Sequence, residues 1–300
     1  LIQLQQSKEM GTFLGHLLPG AFFLLFALWW LYSVLSRYYR AKYRRGPAYR
    51  STVVYPCCCC CVRLPLEGFI KMICCGIGFT AELVTAFENR QFTFFGNGQH
   101  ATMYACFAMS GLVDILAHCK APLPPGTDYA VCLMAFCVEA ILFTFHLHGR
   151  TQIDVVLHTL LVYTVWCCVL ALLLELRRPR SPLPALARCF FTALQGSWFI
   201  QVGAMLYPPV PWLRQFQLTK AEHDSIMLAT VIFAWHGLAI FIFALCLAML
   251  ISRYHARRGP MDGGDRREVS MERLIKSDGQ SGRGGGASGV GVDDDDEDSD

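Results

Sequence analysis

Charge is what this chain most lacks: 16% of its 300 residues are Asp, Glu, Lys or Arg, against 54% hydrophobic ones, and its mean hydropathy is +0.38. That balance excludes an ordinary water-soluble globule. Also missing are His-Glu-x-x-His, His-x-x-x-His, Gly-x-Ser-x-Gly and a glycine-rich phosphate loop, so no familiar hydrolase or nucleotide-binding signature is present. No Asn-x-Ser/Thr glycosylation acceptor occurs either. The basic residues cluster in loops beside apolar runs, which argues against nucleic acid and for loops that face an anionic lipid surface.

What is present is a series of apolar runs long enough to cross a bilayer. The expected spans are about 14–36, 66–87, 98–117, 129–147, 153–176, 186–207 and 226–252. The second contains Lys71 and Glu82 and therefore needs protein neighbours to shield them. With seven spans, alternate loops divide the Lys and Arg fifteen to five, the larger share falling in 37–63, 118–128, 177–188 and just after the last span. The positive-inside rule then places the N-terminus lumenal or extracellular and the C-terminus cytosolic. The fold class expected is an all-α polytopic membrane protein, a seven-helix bundle in contact with lipid and open to homo-oligomerisation.

The first span is not expected to be a cleaved signal, because its basic cluster follows the apolar run instead of preceding it. Residues 1–9 precede the first Met and read as an upstream extension with no assigned role, leaving 10–255 as the transmembrane domain. From 256 the chain turns Gly-rich and ends in DDDDEDSD, so 256–300 is expected to be a disordered cytosolic tail with unknown partners. That tail hides a basic body: the whole chain carries +3, and without Asp293–Asp300 the excess rises to +10.

Fifteen cysteines lie in apolar runs or in the homopolymer Cys57, Cys58, Cys59, Cys60, Cys61, which reads as membrane-buried thiols and a juxtamembrane palmitoylation site rather than a disulfide framework.

The ionisable residues inside the spans carry the chemistry. Counting 1.5 Å per residue, His16, His100, His146, His148 and His158 fall near one membrane face, with His236 deeper. Glu139, Phe143 and His146 fall at i, i+4 and i+7 on one helix stripe. Glu82, Asp114, Gln195 and Gln201 add polar groups, and Gly196 permits a close helix approach. Neutral imidazoles beside a carboxylate suit a transition metal such as zinc, with Glu139 as a base, which would make the protein a metal-dependent membrane hydrolase acting on lipid-like substrates. The same residues suit a pH-responsive transporter or sensor. A palmitoylated scaffold, or unrelated structural histidines, are the remaining readings.

The stretches MGTFLGHLLPGAFFLLFALWW, QHATMYACFAMSGLVDIL, VEAILFTFHLHGR, LQGSWFIQVGAMLYPP and FAWHGLAIF make the chain resemble the transmembrane protein 45 family. The resemblance implies a multi-pass protein of Golgi, endosomal or lysosomal membranes, with histidines at positions matching His16, His100, His146, His148, His158 and His236, and with Glu139. A looser analogy, to seven-helix zinc hydrolases such as alkaline ceramidases, lacks that family's His-x-x-x-His pair in the last helix.

Overall fold

A computed structural model describes residues 12–43, 47–55, 64–147, 150–210 and 222–258. Among the described residues are seven long helices: α1 (Phe13–Tyr43), α2 (Leu66–Thr85), α3 (Phe95–His118), α4 (Thr127–Phe145), α5 (Gln152–Arg177), α6 (Pro182–Leu206) and α7 (Glu222–Arg257). Each is long and apolar enough to span a membrane, so the seven-helix expectation holds. Helix ends are set by local chemistry. Thr12 Oγ1 accepts from Gly15 N (3.0 Å), Thr151 caps α5 through Asp154 N (3.4 Å), and Ser181 followed by Pro182 opens α6. Between α2 and α3 the chain makes a two-residue hairpin of β1 (Phe87–Glu88) and β2 (Gln91–Phe92), in which Asn89 and Arg90 both take positive φ, as a type I′ turn requires.

The closest helix pairs are α1 with α6 and α2 with α3, followed by α5 with α6, α3 with α4 and α4 with α5. The α1–α6 contact is made backbone to backbone. A Cβ built on Gly196 would lie 2.5 Å from Leu24 N and 2.7 Å from Gly20 O. In a bilayer, where burying apolar side chains earns nothing over leaving them in lipid, such close small-residue contacts supply the association energy. Helix α7 instead joins through side chains, Phe233 on Trp198 and Tyr43 Oη to Ser252 Oγ (3.0 Å), and shows Val231, Trp235, Phe241, Met249 and Leu250 outward. Such exposed apolar side chains suit a surface that meets lipid.

Buried ion pairs fill the end of the bundle opposite the N-terminus. Lys71 sits 2.7 Å from Asp114 and 3.1 Å from Glu67, and Glu67 also accepts from Trp30 Nε1 (2.7 Å) and Tyr55 N (3.0 Å). Arg188 binds Glu175 (2.8 Å) and stacks on the Trp30 ring. Lys71 is therefore shielded as its position in an apolar span demands. Residues 47–55, expected to form part of a basic solvent loop, instead insert into this end: Tyr49, Ser51, Val53 and Tyr55 alternate inward, and Ser51 N donates to Pro179 O (2.8 Å). Burial pushes the Tyr49 and Tyr55 phenols above their ordinary pKa.

Candidate functional site

Near the N-terminal end of the bundle, α1 to α6 enclose a cavity of about 690 Å³. Its position follows from the pairing of helices: α1 leans on α6 and α2 on α3, which leaves a gap between α1 and α2. Leu14 and Leu18 line that gap while remaining 58% and 46% exposed, so the mouth opens sideways, where lipid would be.

Four of the six histidines read from sequence meet here. The ring centroids of His100 and His146 are 4.9 Å apart, those of His16 and His158 5.8 Å, and those of His146 and His158 6.4 Å. Hydrogen bonds define which nitrogens carry protons. His16 Nδ1 donates to Thr12 O (3.0 Å), and His158 Nδ1 points at Asp154 O (3.0 Å) and Asp154 Oδ1 (2.6 Å), so in the neutral rings both Nε2 atoms are acceptors. His146 Nδ1 donates to Gln99 Oε1 (2.7 Å), and its Nε2 accepts from the Arg150 guanidinium. His100 Nδ1 lies 3.4 Å from Glu82 Oε1. Glycine again sets the geometry: a Cβ on Gly203 of α6 would lie 2.7 Å from His16 Cβ, so only a bare backbone lets that imidazole in. Gly203→Leu should expel His16 from the cluster, seen as loss of its imidazole cross-peaks to His158 in NMR of selectively labelled protein.

Arg150 organises the cluster, although by sequence position it is only a loop charge. Its Nε donates to His146 O (3.0 Å), one terminal nitrogen to Asp154 Oδ2 (2.9 Å) and the other to the His146 ring. Burial, together with His100 and this guanidinium, lowers the His146 pKa from 6.5 to about 3. A signal for this network was legible, since Asp154 and His158 fall at i and i+4 on one face of α5 and Arg150 stands just before its Thr151 cap.

The remaining predicted residues divide. Glu82 and Glu139 line the cavity, and Glu139 Oε1 accepts from Gln195 Nε2 (2.7 Å). Asp114 does not join them: its spacing with His100 put it on the same helix, but four turns of α3 carry it to the far end, where Lys71 holds it. Gln201 is half-buried and outside the lining. His236 is also separate, because α7 packs on the outer side of α6; it hydrogen-bonds Ser197 Oγ (3.1 Å) and meets the Trp198 ring edge-on. His148, Cys57–Cys61, residues 1–9 and nearly all of the tail lie outside the described residues.

The donors do not fit a zinc site as arranged. Among the described residues no three His, Cys, Asp or Glu groups gather as ligands. Both His146 nitrogens are engaged, one by a cation that a metal would have to displace.

Fold and site together define a multi-pass integral membrane protein built around a histidine-lined lateral cavity. Its similarity runs to a family of unknown function (DUF716), whose model matches residues 125–249, from α4 into α7. Transmembrane epididymal protein 1A of Mus musculus is 24% identical over 263 residues, 79% of each chain, and transmembrane epididymal protein 1 of Rattus norvegicus is 24% identical over 254 residues, again 79% of each. Transmembrane epididymal protein 1 of Homo sapiens is 28% identical over 144 residues, 46% of this chain and 50% of that one. These matches correct the expected membership of the transmembrane protein 45 family.

Proposed function

We propose that the cavity is a pH-responsive site for a lipid-like ligand that enters from the bilayer, so that the protein acts as a transporter or sensor. The observation that carries this reading is the stack of four imidazoles, contributed by α1, α3, α5 and the end of α4, at one end of a cavity with a sideways mouth. Facing them are Glu82 from α2, Glu139 from α4, the Arg150–Asp154 pair and Tyr207 after α6. Two like charges 5–6 Å apart repel by about 3 kcal/mol at an effective dielectric near 20. Protonating a second ring therefore opposes the first, and acid favours an arrangement in which the rings separate. The excess of basic residues in the opposite loops supports a non-cytosolic face for this end.

Backbone hydrogen exchange tests the reading. Corrected for the intrinsic pH dependence, exchange in 12–19 and 78–85 should rise between neutral and mildly acidic pH, and this rise should vanish in His100→Gln/His158→Gln. Unchanged exchange would remove the switch. Metal analysis of the purified protein separates the zinc alternative: the geometry favours substoichiometric metal that is indifferent to His16→Ala.

Stability gives a second pH prediction. His146 has a folded pKa below its unfolded one, so the unfolded state takes up the proton first. Its contribution is fully present above pH 6.5 and declines as pH falls from there toward about 3. Thermal melting of His146→Gln should show a shallower decline over that window than the parent protein, and an equal slope would refute the assignment.

A further inference from the structure

The cavity floor differs from its histidine rim. Glu139 is 2% exposed and lies two turns below His146, about 10 Å deeper. One carboxylate oxygen takes the Gln195 amide; the other, Oε2, is buried with no partner. No Lys, Arg or His is bonded to it among the described residues. The cavity that Glu139 lines is walled by aromatics: Phe23 meets Phe107 at 5.4 Å and Phe199 at 5.9 Å, Phe143 meets Phe199 at 5.6 Å, and Tyr104 adds a further ring. At the rim Arg150, the one cation among the lining residues, is consumed by Asp154 and His146.

Such a floor is short of one thing. A buried carboxylate is costly without a positive partner, while aromatic faces attract cations and reject anions. Three carboxylates, Glu82, Glu88 and Glu139, line the cavity against one engaged guanidinium, so an anionic headgroup would meet repulsion with no free cation to receive it. We propose that the floor of this cavity is an ammonium subsite: the ligand is an amphipathic amine whose protonated nitrogen pairs with Glu139 Oε2 within the Phe23, Phe107, Phe143 and Phe199 walls, while its chain leaves through the α1–α2 mouth. This deepens the reading of the cavity as a lipid-facing ligand site and rests on it.

The test uses the full chain in nanodiscs, with n-hexylamine and its uncharged analogue n-hexanol as probes, and binding read by the shift in melting temperature across a concentration series near neutral pH. The parent protein should prefer the amine by roughly tenfold or more, as a desolvated ion pair with cation–π support implies. Glu139→Gln, which keeps the shape and a hydrogen bond to Gln195, should erase that preference and leave hexanol unaffected. Phe107→Leu should reduce it while keeping Glu139, and guards against a folding defect in the first variant. An equal response to both probes in the parent, or an amine preference that survives Glu139→Gln, overturns the subsite but leaves the cavity reading standing. Ala81→Trp, which narrows the mouth, tells the two apart: if it leaves both probes' effects intact, the cavity is not where they bind, and the broader reading fails with the subsite.

Discussion

Arg188→Met should lower stability by about 3–5 kcal/mol, whereas Arg188→Met/Glu175→Leu should recover most of the loss. Both partners of this pair have side chains with no solvent exposure, and Glu175 receives Arg188 at 2.8 and 3.4 Å and the Tyr129 hydroxyl at 2.9 Å. Removing the guanidinium leaves a buried carboxylate near Tyr49 and Cys189 with one neutral donor, the Tyr129 hydroxyl. Removing both charges leaves an apolar contact of similar volume. Arg188 also ties the 47–55 insertion in place by donating to Thr52 O (3.2 Å), so the single variant should raise proteolytic cleavage within 47–55. Melting temperatures in detergent, falling on the order of 10 °C for the single and much less for the double, are the check. Equal small losses for both would show the pair to be hydrated.

Gly196→Leu should abolish assembly of the α1–α6 contact. Even the Cβ of alanine would meet backbone atoms of Leu24 and Gly20, and backbone cannot swing aside as a side chain can. The usual overpacking penalty, about 1–3 kcal/mol, is a lower bound here. The monodisperse fraction in size-exclusion chromatography should fall several-fold for Gly196→Leu and in part for Gly196→Ala. Gly76→Leu, where an added Cβ meets nothing within 4 Å, should behave as the parent. The effect reaches the site, because His16 lies one turn before Gly20 on α1 and its imidazole enters only while α1 and α6 stay close. A folded Gly196→Leu protein with His16 still beside His158 would refute this coupling.

The helices were legible because each satisfies its own backbone within one continuous apolar stretch, a local property. Depth was legible for the same reason: residues at equal distance from a helix end share a membrane level, which grouped His16, His100, His146 and His158. Direction within a level was not. His236 sits on a helix that packs outside α6, and nothing local says so. Asp114 drew attention as an acid on the His100 face, yet its partner Lys71 comes from another helix and another end. Arg150 escaped notice because a cation at a loop reads as solvent-facing until Asp154 and His146 are placed beside it. The insertion of 47–55 was equally hidden, since its alternating Tyr49, Ser51, Val53 and Tyr55 are too few to outweigh the neighbouring arginines.

The amino-acid sequence alone determined that this chain lives in a membrane as seven helices and that its imidazoles concentrate toward one end, because hydropathy and helical rise need only residue order. Tertiary structure decided which of those imidazoles touch, that Arg150 bonds the His146 ring, that Glu139 lines an aromatic-walled cavity with an oxygen to spare, and that the mouth lies between α1 and α2. Those facts depend on which helix neighbours which, and the neighbours are chosen by glycine contacts and buried ion pairs between segments far apart in the chain.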